Sequence, residues 1–402
     1  MAELIYWLWF STLTDIAPAA RAKIIKIFAD AETVYNTPTD LIAKEAGLTE
    51  GAARKLRNRS LAEAEEIYTI CEDNDIEIIT IDDRRYPRQL SNIYAPPAVL
   101  FVKGRVPDMN RHTAIAVIGT RNASPYGIKM GRNISYEASK CGLYIVSGMS
   151  AGIETAAAQG TTDAGGTVIG VLGTPVTDAS ARVNSLVGQR GALISEYPPG
   201  TVPRKTFFRE KNRIASGISA GVIVVEAPEK SGTRFFVEEA LNQGREIFAV
   251  PGNADSDASA GTLKMIQDGA EMITHGWQAA QALSNEYPGT INPEIHEKYP
   301  DILTHIDTQA KSAETEPKHG NQQKVIDRKK SEGYIDISEF KSKCSGDEFA
   351  ILKAIAGSAR TSDEIIQETG LAAGKALAGL TMLQIKGAIR KNAGKGYTIC
   401  EK

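Results

Sequence analysis

Between residues 112 and 275 the chain alternates two kinds of pattern, and that alternation restricts its fold more than any other feature. Short apolar runs at 114–118, 143–147, 167–172, 192–195, 221–226 and 246–250 read as strands. Helical periodicity fills the gaps, at about 126–141, 152–164, 206–217, 233–243 and 261–268. Strands apolar on both faces need two covering layers, and the intervening helices supply them. The expected fold is α/β: an extended Rossmann-like, doubly wound, mostly parallel sheet. In such sheets ligands sit beyond the carboxyl ends of the strands, so the turns there carry the chemistry.

Those turns are rich in glycine and hydroxyls. The first, Gly119-Thr120-Arg121-Asn-Ala-Ser124-Pro-Tyr126-Gly127, leads from a strand into a helix with Ser124 as N-cap and proline in the first turn. A helix start offers free N–H groups and a positive dipole end, which suit phosphate. Ser147-Gly148 with Gly152 follows the second strand, Gly170 to Gly173 ends the third, and Ser231-Gly232-Thr233 opens a later helix. Any one of them could be a tight turn and no more. Converging at one sheet edge, they make a phosphate-sized pocket.

Several chemistries are excluded or disfavoured. No G-x-G-x-x-G follows a strand, and no acid ends the second strand to hold a ribose, which argues against a dinucleotide. No P-loop motif occurs. Gly148-Met-Ser150-Ala-Gly152 matches a nucleophile elbow, but His275 is the one histidine after it in the α/β region and has no evident acid. The five histidines show no metal-ligand spacing, and no cofactor is expected. The four cysteines form no CxxC pair, and no apolar run is long enough to span a membrane. Both point to a cytoplasmic chain.

A formal charge of −3 over 402 residues gives no global attraction to nucleic acid, so such binding needs a local basic face. Pro203-Arg204-Lys205-Thr-Phe-Phe208-Arg-Glu-Lys211-Asn212-Arg213 supplies one. Cations hold a phosphate backbone while a ring stacks a base, a combination suited to an unpaired strand. The alternative is a solvated helix whose phenylalanines face the core. At helical spacing Phe208, Lys211 and Asn212 fall on one side, where they share a rim with Arg121 if the helix follows the sheet edge.

Outside the sheet, residues 1–105 read as a helical N-terminal domain with short strands, and 106–285 as the Rossmann-like domain. Residues 286–343 are polar and read as a flexible linker. From 344 to 402, three helices and a strand–turn–strand make a winged-helix plan, with Thr361 and Glu364 forming a capping box. Its third helix carries only Lys375 in its body, and Arg390, Lys391 and Lys395 sit on the wing, so a protein contact is as good a role as duplex reading.

Gly119-Thr-Arg121 with Ser124-Pro-Tyr-Gly127, Ser147-Gly148 with Gly152-Ile153, and Ser195-Glu-Tyr-Pro-Pro-Gly200 occur in order. Phe208-x-x-Lys-Asn-Arg-Ile214, Val224-Val-Glu-Ala227, Ser231-Gly232 and Gln243 to Gly252 follow. Together they resemble the DNA-processing protein A (DprA/Smf) family. The resemblance implies a non-enzymatic protein that binds single-stranded DNA, forms a homodimer through its Rossmann domain and hands the strand to the RecA recombinase, as in natural transformation. It further implies that Arg121 and Lys211 contact backbone phosphates and Phe208 stacks a base, with Asn212 and Arg213 completing the strip. The chain departs from the family at Ala151, Glu154 and Ala158, where Arg, Asp and His are usual. It also carries Arg234-Phe235-Phe236 in place of Leu-Ile-Thr.

Two other readings compete. One is a sensor that binds a nucleotide on the same fold. The other is a nucleoside-monophosphate phosphoribohydrolase, because Ser231 to Glu238 faintly resembles that family's glycine-rich loop and acid.

Overall fold

The computed structural model describes residues 2–295, 345–355, 360–385, 388–392 and 396–399, in two compact units, Met1–Glu316 and Pro317–Lys402. Most of the expected linker, together with Lys395, lies outside the described residues. Among the described residues, no helix is long and apolar enough to cross a membrane, and no cluster of side chains could hold a metal ion.

Six helices begin the first unit: α1 (Ala2–Ser11), α2 (Pro18–Phe28), α3 (Ala31–Asn36), α4 (Thr39–Ala46), α5 (Glu50–Leu56) and α6 (Ala62–Asp73). In α1 four successive residues, Trp7 to Phe10, are buried, as expected of a helix that is apolar all round. Next come β1 (Ile76–Thr80), the short α7 (Arg88–Ser91) and β2 (Val99–Gly104). Strand β1 pairs antiparallel with β2, and β2 pairs antiparallel with β6 (Ala192–Ser195), setting Phe101 opposite Ser195. These two strands therefore extend the main sheet, and the boundary expected at 105/106 runs through one continuous sheet. Strand pairing across ninety residues leaves no local trace, and short strands among helices look self-contained.

The winding proper runs β3 (Ala114–Ile118), α8 (Pro125–Lys140), β4 (Tyr144–Ser147), α9 (Ile153–Asp163), β5 (Val168–Val171), α10 (Ala181–Val187) and then β6. It continues through α11 (Phe207–Gly217), β7 (Gly221–Val224), α12 (Thr233–Asn242), β8 (Glu246–Ala249), α13 (Ala260–Gln267), β9 (Glu271–Met272) and α14 (Gly276–Ser284). The nine-stranded order is β1-β2-β6-β5-β4-β3-β7-β8-β9, parallel from β6 to β9. All five residues of β3 are buried. Ile115 and Val117 pack toward α8, α9 and α14, while Ala116 and Ile118 pack toward α11 and α12. The chain leaves β3 on one side for β4 and returns on the other as β7, so the switch point of the winding lies between β3 and β7. The alternation misses α10, α14 and the two-residue β9.

The second unit holds α15 (Gly346–Ile355), α16 (Ser362–Thr369), α17 (Ala373–Ile385) and a hairpin of β10 (Ile389–Asn392) and β11 (Gly396–Ile399). Thr361 and Glu364 make the expected capping box, and Ile351, Leu352, Ile365, Leu380, Leu383 and Tyr397 form a core. Three helices and a wing follow the anticipated plan, with Lys375 exposed on α17.

Candidate nucleic-acid interface

A cleft of about 480 Å³ opens at the switch point. Its floor is the end of β3 with Gly119, Thr120 and Arg121; one wall is α11, and the other is the start of α12 with Ser231, Gly232 and Thr233. No side chain caps α12 and no acid stands in its first turn, so its dipole end is left to whatever occupies the cleft.

Helix α11 sets the cleft's character because of how it is turned. Phe207 faces inward and stacks on Tyr197, ring centroids 3.9 Å apart. Its neighbour Phe208 is thereby turned outward, 45% exposed, onto the cleft wall. The helix can lie this close because Gly173 has no Cβ, which would press on the Phe207–Phe208 backbone. Lys205 and Asn212 line the same wall.

Lys211 sits one turn beyond Phe207 and is 8% exposed. Its Nζ donates to the Gly148 carbonyl at 2.5 Å. Burial pushes this ammonium below the ordinary lysine value; Glu154 pulls back and the Arg121 guanidinium adds to the fall. Arg121 and Lys211 thus meet at one site, although ninety residues separate them. The cleft holds Arg121, Lys205, Arg209 and Lys211 against a single carboxylate, Glu154. Arg121, Lys205 and Arg209 have no ion-pair partner among the described residues.

The start of α8 differs from the expectation of an open phosphate site. The Glu226 carboxylate, just past β7, accepts the Ser124 backbone N–H at 2.8 Å and its hydroxyl at 2.6 Å. Ser124 in turn caps Gly127 at 3.0 Å, and a Cβ at Gly127 would collide with Glu226. The protein's own carboxylate occupies the place foreseen for phosphate. Tyr126 donates to the Pro251 carbonyl at 2.6 Å and does not line the cleft. At the start of α9, Glu154 accepts the Ser150 N–H at 2.8 Å, and Ser147 is buried, its hydroxyl donating to the Glu154 carbonyl. Gly152 adopts a positive φ of 78° and packs against the Thr120 and Arg121 carbonyls, a position closed to any Cβ.

Two expected members stand elsewhere. Arg213 is buried and its Nη2 meets both Glu196 carboxylate oxygens, at 2.7 and 2.6 Å, while Arg21 of α2 reaches Oε2 at 3.1 Å. Two positions beyond Lys211, it points about 200° round the helix, away from the cleft. Arg204 pairs with Asp15 at 2.6 Å and lies over the Phe207 ring. Arg209, part of the basic run but not among the expected site residues, does line the cleft, as does Phe235, which sequence reasoning missed. Glu226 carried the signals of a strand end and of the Val224-Val-Glu-Ala227 motif but no expected role.

The catalytic alternatives fare poorly on geometry. Ser150 lines the cleft, but His275 contacts Glu137, near the far end of α8, about 18 Å along that helix from its start. Glu238 is exposed and is not a cleft residue.

Residues 77–284 match the family model described as DNA recombination-mediator protein A, and 342–395 match that of the DprA winged helix domain. The chain is 39% identical over 211 residues to DNA processing protein DprA of Bacillus subtilis, covering 52% of this chain and 70% of that protein. It is 26% identical to Protein Smf of Synechocystis over 98% of both chains. The crystal structure of DNA processing protein A from Streptococcus pneumoniae superposes with a TM-score of 0.60 at 29% identity, covering 69% of this chain and 97% of that one.

Proposed function

The chain belongs to the DNA recombination-mediator protein A family, a family of DNA-processing proteins and not of enzymes, and from that premise we propose that its switch-point cleft grips single-stranded DNA. Arg121 and the α12 start take backbone phosphates, Phe208 stacks a base, and Lys205 and Asn212 flank it. Lys211 acts from the floor, where it supplies positive charge and turns its ammonium toward a phosphate that enters. The observation that carries this reading is the convergence of Arg121 and Lys211 on one cleft with four cations and one carboxylate. A strand is favoured over a small nucleotide because Glu226 already fills the helix start where a dinucleotide's pyrophosphate would sit. As a homodimer in the cytoplasm, the protein would present this strand to RecA.

Fluorescence anisotropy with labelled oligo-dT, across a salt series, tests the site. Affinity for the single strand should fall steeply with salt, and a duplex of equal length should bind more weakly. Arg121→Ala with Phe208→Ala should abolish single-strand binding at an unchanged melting temperature; binding at the level of the parent protein would sink the assignment. The mediator step is read by whether the protein shortens the lag of RecA loading on single strands coated with a single-strand-binding protein.

A further inference from the structure

The α12 wall of the cleft carries a cluster that the reading above leaves unused. The Arg209 and Arg234 guanidinium carbons lie 4.2 and 4.7 Å from the centroid of the Phe235 ring. Both arginines are exposed, and neither has an ion-pair partner among the described residues. Glu238, one turn further along α12, is not paired with Arg234 either. Arg209 and Phe235 line the same cleft as Phe208 and Arg121. Arg209 follows Phe208 directly on α11, so the cluster lies next to the first stacking ring. Two like charges drawn to one ring repel each other, and a contact of this kind is weak at an exposed site.

We infer that Phe235, Arg209 and Arg234 form a second strand subsite, in which the ring stacks a base and the two guanidiniums take the phosphates on either side of it. This rests on the single-strand reading of the cleft and extends it: Phe208 and Phe235 hold two bases of one strand, with Arg209 between them. The guanidiniums cover the ring. An incoming base displaces one of them, and the freed side chain meets the phosphate that arrives with the base. Unpaired bases of any identity fit, since every base has a face to stack.

The test is a length ladder of oligo-dT, two to eight nucleotides, titrated at several salt concentrations against the full chain. The parent protein should gain affinity stepwise once the oligonucleotide is long enough to reach Phe235. Phe235→Leu should weaken the longer oligonucleotides about tenfold and leave the shortest unchanged. Phe235→Tyr, which keeps the ring, should restore the step. Arg209→Gln with Arg234→Gln should lower the salt slope by about 1.4 on the longer oligonucleotides, at roughly 0.7 for each phosphate no longer neutralised. An unchanged slope in that double variant, with Phe235→Leu binding like the parent, would overturn the subsite while Arg121→Ala still weakened binding. Should Arg121→Ala also bind like the parent, the failure would lie with the cleft reading itself.

Discussion

Helix α11 carries arginine or lysine on two flanks, and the two flanks have opposite fates. On one, Arg213 is buried against Glu196, a carboxylate it shares with Arg21 from the N-terminal helices. On the other, Lys211 points into a cleft where four cations meet one acid, and Arg209 reaches that cleft from the Arg213 side of the helix. Both flanks belong to the same basic run of sequence. A charge withdrawn from water needs a partner, and Arg213 has one in Glu196. The exposed Lys205 and Arg209 of the cleft stay hydrated without an ion-pair partner among the described residues, and the buried Lys211 leans on the Gly148 carbonyl and Glu154. Compensated charge here ties α2, the end of β6 and α11 together. Uncompensated charge at a concave surface is what remains for a ligand.

The largest test of that contrast is thermodynamic. Arg213→Ala strips Glu196 of its closer partner inside the protein and should lower unfolding stability by about 3–5 kcal/mol, read by urea denaturation. Its effect on strand affinity, measured on the folded fraction, should be small. If Arg213→Ala left stability intact but weakened binding as Arg121→Ala does, the two flanks would not differ in kind. Arg121→Ala should show the reverse profile. It should cost about 1.5–3 kcal/mol of strand affinity, the range of a hydrogen bond to a charged group, with no change in denaturation midpoint. Phe208→Ala is expected to lose about 1–3 kcal/mol of affinity while leaving the salt slope as in the parent, since a ring releases no counterions. A slope change with Phe208→Ala would mean that the ring positions a cation instead of stacking a base.

How much of this could be read beforehand follows the same division. The doubly wound sheet was legible because apolar runs such as Ile115 to Ile118 and the helical spacing between them are local signals. The convergence of Arg121 with Lys211 was legible too, because strand ends in such sheets share an edge. Partners brought in from a distance were not. Arg213 looks like its neighbours until Glu196 and Arg21 are placed beside it, the latter contributed to the triad from 175 residues before Glu196. Ser124 announces a helix start in either case, but the carboxylate that fills it comes from 102 residues further on. The pairing of β2 with β6 is hidden for the same reason, and Phe235 carried only the signal of an unusual residue after Ser231-Gly-Thr.

Lys211 combines the two environments, buried like Arg213 yet facing the cleft, and it yields the smallest but most discriminating effect. Its ammonium is held below the ordinary lysine value chiefly by burial. Between that lowered value and the ordinary one, the unfolded chain binds more protons than the folded chain, so stability should rise with pH through this window. A phosphate in the cleft favours the charged form and raises the same group, so the complex binds more protons than the free protein. Strand affinity should therefore be flat below the lowered value and fall as pH rises through it, opposite in sign to stability. Lys211→Met should flatten both trends. Parallel pH profiles for affinity and stability, or an affinity trend that survives Lys211→Met, would show that this lysine belongs with Arg213 as architecture and that the cleft's charge comes from the exposed residues alone.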